Sequence, residues 1–193
     1  HPQIGLVDPF HGQRDLNNKV IRCVGNSQKR FAEDALRILR GLRFAATLGF
    51  SIHPFTAKAI HKLGDTLSCV AIERISAEFC KLICGHQKGQ ILREYADVFK
   101  VFLPNIDYNN VSVCETIDDL VISLAVLMVN LSPEESKEAC KRLRLSNRVT
   151  EDVVLLIRCC DLAIERTQSG VLHSLHLLGP ELTRKFLRMQ IIN

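Results

Sequence analysis

The longest regular pattern of apolar positions begins at Phe31 and stops before Gly49. Apolar side chains recur there at spacings of three and four: Phe31, Ala35, Ile38, Leu39, Leu42, Ala45, Ala46 and Leu48. This is the period of an amphipathic α-helix, and a glycine after the last periodic position is a common helix end. The pattern predicts a continuous helix over residues 30–49.

The helical period continues through the rest of the chain. Gly64, Gly85, Pro104 and Pro133 interrupt it, because glycine and proline favour turns and helix ends. Pro54 stands where proline is favoured, in the first turn of a helix. Further helices are predicted over residues 54–63, 70–84, 88–100, 116–130, 133–143, 147–165 and 180–191. The predicted fold class is therefore mainly α.

The N-terminal segment has a different pattern. Residues 4–8 and 19–24 are short apolar runs separated by a polar, turn-rich stretch, which is typical of two strands. Because two strands alone are only marginally stable, we expect a β-hairpin-like remnant of a sheet whose other strands lie upstream. The chain also starts at His1, without an initiator methionine or a signal peptide. We therefore expect it to be a portion of a longer protein.

Composition places the chain among globular proteins. It has 193 residues, of which 47% are hydrophobic and 24% charged. The longest apolar run, residues 120–129, is shorter than the roughly 20 residues that span a bilayer. A soluble, cytoplasmic protein without membrane contact is predicted. Eight cysteines fall irregularly inside helical patterns, which favours reduced thiols over a disulfide framework.

Basic residues are unevenly distributed. The formal charge of +4 is carried by the first 50 residues, which hold eight Lys and Arg against four acidic residues. Clustered cations favour a polyanionic partner because each phosphate contact releases counterions, whereas the alternative is a solvated helix face. Two further clusters in the C-terminal half are candidate RNA contacts: Lys141, Arg142, Arg144 and Arg148, and then Arg184, Lys185 and Arg188.

Asp34 and Arg37 are three residues apart, so they would be neighbours on the predicted helix 30–49. One interpretation is an intrahelical ion pair. The other is recognition of a base, since a carboxylate accepts hydrogen bonds and a guanidinium donates them. Such a pair matches the amino donor and ring-nitrogen acceptor of adenine and cytosine. It would repel guanine and uracil, which present a carbonyl acceptor and a ring N–H donor.

Four motifs occur in a fixed order along the first 84 residues. They are Asp-Pro-x-x-Gly-x-x-Asp-Leu at 8–16, Ile-Arg-Cys-Val-Gly at 21–25, Arg-Phe-Ala-Glu-Asp-Ala-Leu-Arg at 30–37 with its continuation to 45, and Glu-Arg-Ile-Ser-Ala-Glu at 73–78. In this order they resemble the class II tRNA nucleotidyltransferases, the CCA-adding enzymes, and the related bacterial poly(A) polymerases. Beyond Gly85 the resemblance is limited to helical character and Leu-Arg-Leu-Ser-Asn at 143–147.

The resemblance assigns roles to particular residues. Asp34 and Arg37 would template the incoming ATP or CTP, and Arg40 and Arg43 would contact the nucleotide further. Hinge residues between catalytic head and neck would be Asp8, Gly12, Asp15 and Arg22. Residues supporting the nucleotide-binding helix through buried charge pairs would be Glu73, Arg74 and Glu78.

The same resemblance implies a domain organisation. Residues 1–28 would be the end of the head domain and the hinge, 29–85 a helical neck that recognises the nucleobase, and 86–193 a helical body that binds tRNA. The implied partners are tRNA and nucleoside triphosphates. The implied activity of the full-length protein is addition of C and A nucleotides to the tRNA 3′ end.

The catalytic elements of this family are not found in the sequence. Its chemistry requires a Gly-rich phosphate loop and an Asp-x-Asp pair that holds two Mg²⁺ ions. There is no Gly-Gly pair, and the one Asp-Asp, at 118–119, lies at a predicted helix start. We expect Mg²⁺ to act in the full-length enzyme through ligands outside this chain, and the chain alone to be inactive.

Other candidate sites are not favoured. Val129 and Asn130 stand where many relatives carry the His-Asp pair of a metal-dependent phosphohydrolase domain, so no such site is expected. His173 and His176 have no evident third ligand for a metal. Two cysteine pairs are interpreted as core-filling rather than zinc-binding or redox-active: Cys80 with Cys84, and Cys159 with Cys160.

Two alternatives stay open. The first is a different activity within the same family, such as poly(A) synthesis or addition of A or C alone. The second is a non-catalytic helical RNA-binding module that uses the basic faces without selecting nucleotides.

Overall fold

The computed structural model describes residues 7–108, 117–160 and 168–190. The mainly α fold class is confirmed. The helices are α1 Gly12–Asn17, α2 Ser27–Glu33, α3 Leu36–Leu48, α4 Pro54–Leu63, α5 Ile72–Leu82, α6 Lys88–Glu94, α7 Ala96–Lys100, α8 Leu120–Leu127, α9 Pro133–Arg142, α10 Asn147–Arg158 and α11 Gln168–Gln190, with a 3-10 helix at Gly64–Cys69 between α4 and α5.

The small β element differs from the expected hairpin. Strand β1, Val20–Ile21, pairs in parallel with strand β2, Ser51–Ile52. Of the first predicted strand, residues 4–6 lie outside the described residues and 7–8 are not in a strand. The polar stretch that follows forms α1 instead of a turn. A parallel partner cannot be reached by a tight turn, which is why local pattern alone suggested a hairpin.

The predicted helix 30–49 is interrupted at Asp34. Helix α2 ends at Glu33, and Asp34 has an extended backbone with φ −152° and ψ 100°. Its Oδ1 accepts a hydrogen bond from the Leu36 N–H at 3.1 Å, in the first turn of α3. A short polar side chain offers the backbone such an alternative to continued helix. Residues 30–49 are therefore two helices joined at the aspartate.

Other helix ends also shift from the predicted positions. Helix α4 agrees with the prediction, whereas the predicted helix 88–100 is divided into α6 and α7 at Tyr95. Helix α8 begins only after Asp119, whose side chain accepts from the Ile122 N–H at 3.0 Å. Helix α11 begins before the predicted residue 180 and is kinked at Gly179. Residues 161–165, at the end of the predicted helix 147–165, lie outside the described residues.

The apolar core is built around α3. Five α3 side chains are fully buried, and residues on both sides of Gly85 join the same cluster. Helix α5 packs against α3, and α8 is buried from Val121 to Leu127. Gly85 lies directly against α3, where the Gln87 N–H donates to the Ala46 carbonyl at 3.0 Å. Nowhere in the described ranges is a helix long and apolar enough to cross a membrane.

Candidate functional site

Asp34 lies at the junction of α2 and α3, and each of its two carboxylate oxygens has a contact. Oδ1 is held by the Leu36 N–H, and Oδ2 is 3.7 Å from Nη2 of Arg74 on α5. The carboxylate is partly exposed, so a ligand can approach it. The aspartate is thus a fixed acceptor at the start of α3.

Arg37, in the first turn of α3, does not pair with Asp34 as the sequence suggested. Its Nη1 donates to Oε2 of Glu33 and to the carbonyl of Arg30, both at 2.9 Å. Arg30 donates to the same Glu33 oxygen at 2.7 Å. The helix break removes Asp34 and Arg37 from one continuous surface and leaves Glu33 as the ionic partner. The guanidinium of Arg37 is therefore held in place by two residues of α2.

Glu33 is the residue of this cluster to which no role was assigned from sequence. The hydrogen bond from Arg37, with the charge of Arg30, lowers the pKa of its carboxyl group. Its position three residues after Arg30 and four before Arg37 is the spacing of side-chain pairs on helices. That spacing was the signal that could have identified it.

Arg40 and Arg43 share a carboxylate from α5. Oε1 of Glu78 accepts from Nε of Arg40 at 3.2 Å, and Oε2 accepts from Nε of Arg43 at 2.6 Å. The Glu78 side chain is only 13% exposed. The Arg43 guanidinium also lies 4.1 Å from the ring centroid of Phe44, a cation–π distance. Both arginines are thereby oriented by α5.

Glu73 and Arg74 are exposed, so their ion pairs are not the buried pairs expected from sequence. Arg74 reaches Asp34, whereas Oε1 of Glu73 is 3.9 Å from Nε of Arg144, beyond α9. Glu73 and Arg74 both lie in the first turn of α5, where the helix faces solvent. Only Glu78, one turn further, points to the inner side next to α3.

The expected hinge residues form two separate contacts. The Asp8 carboxylate accepts from the N–H groups of Gly12 and Gln13 at 2.7 and 2.9 Å, which caps α1 and lowers the pKa of Asp8. The Asp15 carboxylate receives two hydrogen bonds from Arg22, Nε to Oδ2 at 2.8 Å and Nη2 to Oδ1 at 3.2 Å. The Asp15–Arg22 contact ties α1 to the residue after β1.

We expect the Asp15–Arg22 contact to make stability depend on pH. The hydrogen bond from Arg22 lowers the native pKa of Asp15 below its ordinary value of 3.8. The ionised carboxylate therefore stabilises the native state above about pH 4, and this contribution is lost as the pH falls through the native pKa. Urea unfolding should show Asp15→Asn less stable than the natural chain near neutral pH, with the difference shrinking in acid. Asp65→Asn, at an exposed carboxylate of the 3-10 helix, serves as control; a pH-independent difference for Asp15→Asn would contradict the assignment.

The seven candidate RNA contacts have different environments. Lys141, Arg142 and Arg144 line one groove, and Arg184 is exposed on α11. Arg148 pairs with Glu181 at 2.9 Å, on the surface.

The last two candidate RNA contacts, Lys185 and Arg188, face the acidic residues that precede α8. Nζ of Lys185 is 3.0 Å from Oδ2 of Asp119, and Nη2 of Arg188 is 4.0 Å from Oδ1 of Asp118. Lys185 is only 19% exposed, so its charge serves the contact between α8 and α11.

The candidate phosphohydrolase, metal and cysteine sites lie in different environments. Val129 is half-buried and Asn130 exposed, just after α8. The side chain of His173 lies outside the described residues. In the described ranges there is no group of three or more His, Cys, Asp or Glu that could hold a metal ion. None of the described cysteines forms a disulfide, and burial raises the pKa of Cys140 to about 11.

Comparison with known sequences identifies similar proteins. A family model described as "Probable RNA and SrmB- binding site of polymerase A" matches residues 49–109. The CCA-adding enzyme of Lactobacillus helveticus is 31% identical over 171 residues, which cover 84% of this chain and 43% of that enzyme. The CCA-adding enzyme of Staphylococcus aureus is 36% identical over 156 residues, which cover 77% of this chain and 37% of that enzyme. The chain thus spans less than half the length of these curated relatives.

Comparison with solved structures identifies a shared fold. The Bacillus stearothermophilus CCA-adding enzyme in complex with CTP aligns with a TM-score of 0.70 and 23% identity, over 96% of this chain and 53% of that chain. A tRNA nucleotidyltransferase complexed with a primer tRNA and an incoming ATP analog aligns with a TM-score of 0.74 and 22% identity, over 95% of this chain and 60% of that chain.

Proposed function

Since the chain belongs to the CCA-adding enzyme family, we propose that it is the part of a tRNA nucleotidyltransferase that selects ATP and CTP and binds tRNA. The whole protein would add C and A nucleotides to the tRNA 3′ end in the cytoplasm. Similar structures are described with CTP, and with a primer tRNA and an ATP analog. The proposed division into head end, neck and body, at residues 28 and 85, follows the same family.

The observation that carries the proposal is that an acceptor, Asp34, and a donor, Arg37, are each held in position by other groups at the junction of α2 and α3. Asp34 is held by the Leu36 N–H, and Arg37 is held by Glu33 and by the Arg30 carbonyl. Both side chains are already ordered before a ligand binds, which reduces the entropic cost of recognition. A base stacked at this junction would meet hydrogen-bonding groups already in place.

The chemistry of this pair supports a choice between bases. The Asp34 carboxylate only accepts hydrogen bonds and the Arg37 guanidinium only donates them. Adenine and cytosine satisfy both groups, whereas guanine and uracil would leave each one facing a group of its own kind. Unpaired groups in a desolvated site are costly. Arg40 and Arg43, oriented by Glu78, would carry the positive charge toward the nucleotide.

Catalysis itself is not assigned to the described residues. They include no metal-ligand cluster, so the donors present do not fit a Mg²⁺ site. We propose that the described residues bind and orient the substrates and that the chain alone does not transfer nucleotides.

Binding of the four nucleoside triphosphates tests the proposal. We expect the chain to bind CTP and ATP in preference to UTP and GTP, and Asp34→Ala to reduce the CTP-to-UTP preference by roughly tenfold or more, because a hydrogen bond to a charged group contributes roughly 1.5–3 kcal/mol. Titration calorimetry provides the four affinities, with Asp65→Ala as a control that removes an exposed carboxylate elsewhere. Equal binding of all four nucleotides, or an unchanged preference in Asp34→Ala, would refute base selection at this site.

The second candidate function is a poly(A) polymerase, which the description of the matching family model favours. The same titrations distinguish a poly(A) polymerase from a CCA-adding enzyme, because a polymerase that adds only A should prefer ATP to CTP. RNA binding with indifference to every nucleotide would leave a non-catalytic RNA-binding module.

A further inference from the structure

A groove of about 710 Å³ lies between the 3-10 helix, the start of α5, the end of α7 and the end of α9. This volume is in the range of ligand-binding clefts, roughly 300–1,000 Å³. Three of its lining side chains are apolar and half-buried, Val70, Ile72 and Val101. They leave apolar surface open to a ligand without offering hydrogen bonds.

The other side of the groove is basic. Lys141, Arg142 and Arg144 line it against a single carboxylate, Glu138. All three cations are exposed, and the ion pair of Arg144 with Glu73, at 3.9 Å on the surface, is long enough for an anion to compete with it. An apolar floor beside a basic rim matches a ligand with a flat apolar face and an attached phosphate.

Arg144 occupies an unusual backbone position. Its φ is 55°; its N–H donates to the Lys141 carbonyl at 2.9 Å, and the Leu145 N–H donates to the Cys140 carbonyl at 3.1 Å. These bonds form the Schellman motif that ends α9, in which the left-handed residue is most often glycine. Arginine is less favourable than glycine in this conformation. The position thus carries a guanidinium at a conformational cost that glycine would avoid.

We propose that this groove binds one unstacked nucleotide of a single-stranded RNA, with its base against Val70, Ile72 and Val101 and its phosphates at Lys141, Arg142 and Arg144. Every base has an apolar face, so such a site holds RNA without choosing a sequence. Proteins commonly contact single-stranded RNA through bases that are splayed out of the stack. The inference rests on the proposed function as the RNA-binding part of the enzyme, and it adds a site separate from Asp34.

The groove and Asp34 adjoin the same turn of α5. Glu73 and Arg74 are consecutive residues, and the first pairs with Arg144 whereas the second pairs with Asp34. One RNA strand can therefore contact both places. We infer that the nucleotide in the groove lies upstream of the 3′ end that receives the new residue.

Single-stranded RNA binding by the natural chain and two groove variants tests this inference. Arg144→Gly removes the guanidinium and suits the left-handed backbone, so we expect unchanged or higher thermal stability with about tenfold weaker RNA binding. The slope of log K against log salt should fall by about 0.7, for one lost phosphate contact on a single strand. Ser68→Glu adds a negative charge at an exposed groove residue and should also weaken binding. Arg158→Ala is the control, since it removes one exposed cation outside this groove.

A 2-aminopurine base at successive positions of the RNA reports the base contact. The chain contains no tryptophan, so its own emission does not mask the signal. We expect altered emission at one position with the natural chain but not with Ser68→Glu, and about tenfold weaker binding when that base is deleted.

The outcomes separate the two proposals. If the natural chain binds no single-stranded RNA, the RNA-binding part of the proposed function fails together with the groove. If it binds RNA but Arg144→Gly and Ser68→Glu behave like Arg158→Ala, the groove inference alone is refuted. Equal competition by AMP would identify a mononucleotide pocket, and loss of binding without any dependence on the base would point to a peptide or a bare phosphate; either result overturns the inference.

Discussion

Replacing Gly85 with alanine is expected to lower the free energy of unfolding by about 3 kcal/mol, at the upper end of the cost of overpacking. A Cβ atom at Gly85 would lie 2.7 Å from the Ala46 carbonyl carbon and 2.8 Å from its oxygen. Both atoms belong to the backbone of α3, so no side-chain rotation relieves the clash. The carbonyl also accepts the Gln87 N–H. Moving α3 away would therefore disturb both the hydrogen bond and the core around Ala46.

Gly41→Ala provides the matched control for this prediction. Gly41 lies within α3, and a Cβ atom there would meet no heavy atom within 4 Å. Because alanine has the higher helix propensity, Gly41→Ala should raise the free energy of unfolding by about 1 kcal/mol. Both changes restrict the unfolded chain equally, so their difference reports the native contact. Urea unfolding followed by circular dichroism measures it, and equal stabilities of the two variants would contradict the close approach at Gly85.

Lys88→Ala is the second change from which we expect a large loss, again about 3 kcal/mol, as for truncation of other long buried side chains. Lys88 is fully buried at the start of α6. Its Nζ donates a hydrogen bond to the Ile117 carbonyl, just before α8. Alanine would leave a cavity in place of the four-carbon stem and remove the donor from a buried carbonyl. Both effects act between α6 and α8.

Lys88→Met separates these two effects. Methionine restores most of the apolar volume but cannot donate a hydrogen bond, so about 1–2 kcal/mol of the loss should persist. Thermal and urea unfolding of both variants provide the comparison. A methionine variant as stable as the natural chain would show that the hydrogen bond to Ile117 contributes nothing net, since replacing a buried charge with an apolar group is sometimes neutral.

The helical body was predictable because the features that specify it are local. Helix α4 follows from its apolar period, from Pro54 at its first position and from Gly64 at its end. The residues of the candidate site were also found locally, since Asp34, Arg37, Arg40 and Arg43 recur at a single spacing. The partners of these side chains were not predictable in the same way. The prediction paired Asp34 with Arg37 because it assumed an unbroken helix, whereas the aspartate caps α3 through the Leu36 N–H.

The helical class, the family and the charged residues at the junction of α2 and α3 follow from near neighbours and from motif order along the chain. Which polar groups meet depends instead on long-range contacts in the folded protein. Glu78 holds Arg40 and Arg43 from 38 and 35 residues away, and Val20 pairs with Ser51. The groove likewise unites the 3-10 helix with the end of α9. Such contacts form when the chain folds back and buries its apolar faces, and no local period specifies which polar groups are then brought together.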